Sequence, residues 1–205
     1  METNLAYRLD DEPKTELIGG RVVAMASPKV IHTRVMQNIY RIFAGYLSGH
    51  PCEPFTDSVD VYLTAKDRYI PDVTVVCDPD KVQDDGIYGA PDLVVEVLSQ
   101  GSAKNDRTRK KDVYEQCGVR EYWIVDPVSM RVEQYLLEEG RFVLRDVFTR
   151  AKNSTLAHMP SEEREKQIRE FPCGIFPDLM IPLDVVFERV VEPFVPPEKK
   201  NAEQK

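Results

Sequence analysis

The chain has 205 residues, with 27 Lys and Arg against 35 Asp and Glu, and a net charge of −8 at pH 7. That length fits one domain with appendages, and a hydrophobic share of 42% suffices for a core. The charge argues against a general polyanion binder, and no apolar run approaches the ~20 residues of a membrane span.

The N-terminus is acidic and polar, which does not fit a signal peptide. Residues 1–14 read as a leader. Cys52, Cys77, Cys117 and Cys173 are scattered, without a Cys-x-x-Cys pair. They read as reduced thiols of a cytoplasmic protein rather than a zinc site or a disulfide framework. From Glu16 to Met25 two short strands flank Gly19-Gly20 and predict a hairpin. Glu16 is ordinarily a solvated strand-end acid, and stands as an accessory candidate.

Ser27-Pro28 predicts a helix start, and Ile31, Val35, Ile39, Ile42, Phe43 and Tyr46 recur at helical spacing up to Gly49. His32 lies at the border of that apolar stripe. Such a histidine is more often packed than functional, yet its ligand and proton chemistry keeps it as an accessory candidate. Strands are predicted over 57–63 and 68–76, the second with Asp72 directly after Pro71.

The stretch Asp92-Leu93-Val94-Val95-Glu96-Val97-Leu98 reads as a buried strand interrupted by two acids. Side chains alternate along a strand, so Asp92, Val94, Glu96 and Leu98 share a face. Glu96 sits mid-strand, where a carboxylate is costly unless a cation or donor meets it. A structural ion pair would serve; so would a metal. Asp92 is about 13 Å from Glu96 at ~3.3 Å per residue, and ranks as a strand-end acid.

Asn105 or Asp106 can cap a helix predicted to run to about Cys117, stopped by Gly118. Arg107, Lys110, Lys111 and Tyr114 share one broad face of it. The ordinary meaning of such a run is a solvated basic face; Arg107 and Lys111 are the nucleic-acid contact candidates. An apolar strand follows over 121–127, then a hairpin over 131–148. Residues 150–170 read as a polar surface insertion with a helix over 161–170, and a short helix is expected over 184–190. The domain runs over 15–190, and the Pro-, Lys- and Glu-rich tail from 191 to 205 is expected to be disordered.

The order of elements predicts an α/β (α+β) fold with a mixed β-sheet flanked by helices. Asp72 and Glu96 would bind Mg²⁺ or Mn²⁺, hard cations that take oxygen ligands. Such an ion polarises a phosphate and lowers the pKa of an attacking water.

Pro71-Asp72 followed by Glu96 on a later strand resembles the PD-(D/E)XK nuclease superfamily. The run 91–99, then Asp106-Arg107-x-x-Lys110-x-x-x-Tyr114, then Gly118 to Pro127, is similar to the Uma-type restriction-endonuclease-like family. The likeness extends from about 16 to 187 and is strongest over 70–127. It implies a restriction-endonuclease-like core, a divalent metal and cleavage of nucleic acid, in the first place DNA. One position departs from the superfamily pattern: the lysine expected two residues after the second acid is Leu98. Lys110 is the natural replacement, with Lys104 and Lys111 behind it, and Tyr114 would line the same face. Catalysis would then fall to Asp72, Glu96 and Lys110, in a homodimer if duplex DNA is cut. The contrasting reading is a silent module that keeps the fold to bind nucleic acid or a protein; Leu98 and the net charge favour it. Hydrolysis of a smaller phosphoester would use the same residues.

Overall fold

The computed structural model describes residues 13–99 and 103–190. Most of the expected leader, and the whole tail from 191, lie outside the described residues.

The short strands β1 (Thr15–Ile18) and β2 (Arg21–Ala24) form the predicted hairpin, with Gly19 and Gly20 both at positive φ in the turn. Helix α1 (Val30–Tyr46) follows. Its start corrects the sequence reading: Lys29 is the N-cap and no side chain caps the helix, so Ser27-Pro28 is connecting chain. Val35, Met36, Ile39 and Phe43 are its buried face, three and four residues apart.

Strands β3 (Glu53–Thr56), β4 (Val61–Thr64), β5 (Asp67–Tyr69) and β6 (Val73–Val76) come next. The single strand predicted over 68–76 is thus two strands. Ile70-Pro71-Asp72 carries the chain from one sheet to another, since β5 belongs to one and β6 to the other. Proline cannot donate to a ladder, which suits Pro71 to that crossing. A 3₁₀ turn (Pro79–Lys81) leads to β7 (Val82–Gln83), β8 (Gly86–Tyr88) and the central strand β9 (Leu93–Val97).

The predicted helix after β9 is a composite. It runs through α2 (Ala103–Asn105), a π-helical stretch (Asp106–Lys110) and α3 (Lys111–Cys117), and ends on Gly118 at φ 89°. Strands β10 (Glu121–Asp126), β11 (Arg131–Glu138) and β12 (Arg141–Thr149) complete the meander. The segment read as a polar insertion holds α4 (Asn153–His158) and α5 (Ser161–Glu165). It ends in β13 (Glu170–Pro172), paired with β14 (Met180–Pro182), before α6 (Leu183–Val186).

The first sheet has the order β2-β1-β5-β4-β8-β7, the second β12-β11-β10-β9-β6-β3. In the second, β9 and β10 are parallel while β6 and β11 run antiparallel to them. The two faces of β9 serve different cores. Val95 and Val97 pack with α1 residues Ile39 and Phe43, whereas Val94 packs with Val113 and Tyr114 of α3. Each fully buried aliphatic or aromatic side chain contributes ~1.5–3 kcal/mol, so both helices are held to this strand mainly by area removed from water. Glu96 belongs by alternation to the α3 side.

Cys52 and Cys77 form a disulfide, a correction for that pair of the reading of four reduced thiols. Its cause is register: Glu53 pairs with Val76, which sets the next residues, Cys52 and Cys77, side by side. Cys117 and Cys173 are free. No helix among the described residues is long and apolar enough to cross a membrane.

Candidate active site

At the junction of the two sheets the structure gathers Glu16, His32, Asp72, Glu96, Asp106, Lys110 and Tyr114. The register of β6 against β9 (Val73 to Val95, Thr74 to Val94) points the next pair to Asp72 and Glu96. Directly opposed residues share a face with Cβ atoms ~4.5–5.5 Å apart. Asp72 Oδ2 accepts the Val97 N–H at 2.6 Å, so the bend after Pro71 is locked to the end of β9. Its other oxygen, Oδ1, lies 3.2 Å from His32 Nε2.

Glu96 Oε1 accepts from Lys110 Nζ at 3.1 Å and from the Tyr114 hydroxyl at 2.7 Å. Lys110 therefore stands against the acid that Leu98 leaves without a strand lysine. Its ammonium also meets Glu16 Oε1 at 2.8 Å and Asp106 Oδ1 at 3.6 Å. Glu16 in turn accepts the Ile70 N–H, tying the first hairpin to the crossing that leads to Asp72. The Tyr122 hydroxyl donates to the Asp106 carbonyl and anchors the π-helical stretch. That stretch presents Lys110 inward, and π turns inside helices are frequent at functional sites.

All of these groups are withdrawn from solvent: Asp72 is 6% exposed, Glu96 4%, Lys110 3% and Asp106 0%. The charge balance inside the cluster is uneven. Four carboxylates (Glu16, Asp72, Glu96, Asp106) face one ammonium and one imidazole. Burial pushes the Glu96 carboxyl well above the usual carboxylate range; Lys110 pulls it back, and Asp106, Asp72 and Glu16 push it further up. Burial favours the neutral form of Lys110, but Glu96, Glu16 and Asp106 together hold its pKa above the ordinary lysine value. Lys110 is consequently a fixed cation, not a proton acceptor. Tyr114 is kept a neutral phenol by burial and by the Glu96 charge. His32 is pulled down by burial, yet hydrogen bonding to Asp72 and the Val97 backbone outweighs this and favours its protonated form.

The cluster suits a hard divalent cation on chemical grounds. Both described donors on Glu96 address Oε1 and leave Oε2 without one, while Asp72 Oδ1 is met only by His32. A divalent ion would relieve the surplus of buried negative charge. Among the described residues no three His, Cys, Asp or Glu side chains stand close enough together to form a ready-made cage.

The remaining candidates fall elsewhere. Asp92 accepts the Cys77 N–H at 2.8 Å and pairs with Arg120, a structural use at the start of β9. Arg107 makes a two-pronged contact with Glu133 (2.6 and 2.7 Å), and Lys111 lies 3.9 Å over the Tyr135 ring centroid. The side chain of Lys104 lies outside the described residues. Asp106 was not singled out in the sequence beyond a helix cap; its four-residue spacing to Lys110 was the available signal.

The mixed sheets with helices packed against them form a restriction-endonuclease-like core. The profile of the Uma2 family, described as a putative restriction endonuclease, matches residues 1–164, and the chain belongs to that family. Two uncharacterized proteins of Synechocystis are similar to it. One, sll1609, is 28% identical over 126 residues, covering 60% of this chain and 71% of its own length. The other, slr1290, is 27% identical over 136 residues, covering 65% and 72%. In fold the chain is similar to a crystal structure from Anabaena variabilis described as a putative nuclease belonging to DUF820. That match has a TM-score of 0.61 and 17% identity, and covers 88% of this chain and 93% of that one.

Proposed function

We propose that the protein is a divalent-metal-dependent endonuclease that hydrolyses phosphodiester bonds of nucleic acid, with DNA as the first substrate to test. The observation that carries the reading is the 3.1 Å contact of Lys110 with Glu96, which returns a cation to the acid that lacks one on its own strand. Asp72 and Glu96 would hold Mg²⁺ or Mn²⁺, with His32 beside them as a further ligand when neutral. When bound, the ion supplies Lewis-acid polarisation of the phosphate and a more acidic water.

The chain's own residues do the rest. Lys110, permanently charged, offsets negative charge that develops on the non-bridging oxygens. Tyr114 donates to Glu96 and fixes which of its oxygens is free. Glu16 and Asp106 position Lys110 and touch no substrate. A homodimer would place two such sites on the two strands of a duplex.

The near-complete burial of Asp72, Glu96 and Lys110 favours a second reading, a module that keeps the fold and binds nucleic acid or a protein without turnover. Calorimetry with Mn²⁺ and a nicking assay on wild type and Glu96→Ala separate the two. Metal binding and nicking that both vanish in the variant support the enzyme. Wild type that binds no metal and leaves DNA intact supports the silent module.

A further inference from the structure

A second basic feature lies away from Lys110. Arg150, Arg164 and Arg169, with Gln167, line a cavity of about 210 Å³ floored in part by Leu183. Only one carboxylate, Asp184, lines it as well. Three guanidinium charges against one carboxylate leave a surplus of two positive charges, on a chain whose net charge is −8. Arg150 Nε is fixed by Asp184 at 2.6 Å. Among the described residues no carboxylate comes within ion-pair distance of Arg164, whose Nη2 donates to the Met159 carbonyl, or of Arg169. Glu162, Glu163 and Glu165 on α5 are exposed and do not line the cavity. Guanidinium forks match phosphate oxygens and stay charged at any working pH. The volume is below the ~300–1,000 Å³ of small-molecule sites, and suits one phosphate group of a longer polymer rather than a whole ligand.

Topology sets Arg150, at one wall of this cavity, at the strand ends that carry the acid–lysine cluster, while Leu183 packs with the core on the α1 side and Glu96 faces α3. Strands β9 and β10 are parallel, so Val97 and Asp126 end at one edge. Asp126 pairs with Arg131 and Arg131 with Thr149, which returns the chain to that edge just before Arg150. From β9 to β12 is three strand steps, or about 14 Å at ~4.8 Å per step. That is about four base-pair steps at a rise of ~3.4 Å.

We propose that the Arg150–Arg164–Arg169 cleft binds the phosphate backbone of the nucleic acid and seats it along the sheet edge that leads to Glu96 and Lys110. The proposal rests on the nuclease reading and adds to it the place where the polymer is gripped. The test is fluorescence anisotropy with a labelled DNA duplex in EDTA, so that the duplex survives, between 50 and 200 mM salt. Arg164→Gln/Arg169→Gln should weaken binding about tenfold and flatten the slope of log K against log salt by about 1.8, each lost contact being worth ~0.9. The single variants should each lose about half of that slope. Arg164→Lys/Arg169→Lys should restore most of it, and Lys166→Gln, exposed and outside the lining, should leave it unchanged. Wild type that binds the duplex, beside a double variant of equal affinity and slope, overturns the cleft and leaves the nuclease reading standing. Wild type that binds no nucleic acid overturns both.

Discussion

Glu96 and Glu121 stand on neighbouring parallel strands, both buried at 4% and 0% exposure, and their surroundings are opposite. Glu121 meets neutral donors on every side. Trp123 Nε1 (2.6 Å), Gln134 Nε2 (2.7 Å) and the Gly174 N–H (3.1 Å) address its Oε1. The Ile175 N–H (2.8 Å) and the Cys173 thiol (3.4 Å) address its Oε2. It fastens the C-terminal β13–β14 hairpin to the main sheet and has nothing left to offer a ligand. Glu96 has two donors on one oxygen, and further carboxylates crowd round its cation. A buried carboxylate that is fully hydrogen-bonded is architecture. One left short of donors among like charges is a place for a proton or an ion.

The largest expected effect falls on the crowded side. Lys110→Met should lower nicking in Mn²⁺ by about 10²–10³-fold, the usual loss when one group opposing developing negative charge is removed. Lys111→Met, whose ammonium rests on Tyr135, should stay near wild type. Removing Lys110 also strands Glu96, Glu16 and Asp106 without their cation, so a loss of about 3–5 kcal/mol in stability is expected. A melt in Mn²⁺ beside the assay separates the two effects. A folded Lys110→Met protein that nicks at the wild-type rate would remove the lysine from the mechanism.

Glu121→Gln should invert the pattern. The amide keeps one acceptor oxygen and turns an NH₂ toward groups that are themselves donors. At ~1–3 kcal/mol per stranded donor, a destabilisation of about 3 kcal/mol is expected, a fall in Tm of roughly 6–12 °C for a chain of this size. Metal binding and nicking by the folded protein should not change. Loss of Mn²⁺ binding in a folded Glu121→Gln variant would show that the two carboxylates are not independent.

The sequence distinguished these acids only partly, and for physical reasons. Glu96 was conspicuous because it sits mid-strand between valines, where two-residue alternation predicts burial. Lys110 followed from the resemblance, which implies a lysine where Leu98 stands, together with the helix that leaves the same strand. Glu121 opens its strand, where an acid is ordinarily wet, and its donors come from residues 123, 134 and 173–175, a convergence that no local pattern encodes. Asp106 read as a cap because Asp is a favoured cap; the π-helical stretch that buries it has no signature in residue type. The crossing at Ile70-Pro71-Asp72 was read as continuous strand, although Pro71 signalled a break. The Cys52–Cys77 pair depends on the register of β3 against β6, and β3, flanked by Pro51 and containing Pro54, does not look like a strand. A pairing between consecutive elements, such as Lys110 with Glu96, was legible; contacts that depend on the register or convergence of distant segments were not.

Asp67 lies between the two extremes and gives the smallest and most specific test. It is 3% exposed and accepts from the Gly19 N–H (2.9 Å), the Thr64 hydroxyl (2.8 Å), the Tyr69 hydroxyl (2.9 Å) and Arg109 Nη2 (3.2 Å). Like Glu121 it has neutral donors; like Glu96 it has a cation, but Arg109 is half exposed and well screened. Burial pushes the Asp67 carboxyl up, and the hydrogen bonds from Gly19, Thr64, Tyr69 and Arg109 outweigh it, so its pKa lies below the ordinary aspartate value. A carboxyl with a depressed pKa in the folded state stabilises the protein above its unfolded pKa of ~3.9 and loses that contribution as pH falls through the folded value. Asp67→Asn should therefore cost about 1–2 kcal/mol at pH 7, from weaker acceptance of four donors, and progressively less as the pH is lowered below about 4. Urea melts of both proteins from pH 7 to pH 3 check it: the two stability curves should converge on the acid side. Because Asp67 joins the hairpin of Glu16 to the turn of Lys110, a modest loss of nicking should accompany the loss of stability at pH 7. Curves that stay parallel down to pH 3 would mean that the Asp67 charge adds nothing to the fold, and that its neutral hydrogen bonds suffice, as they do around Glu121.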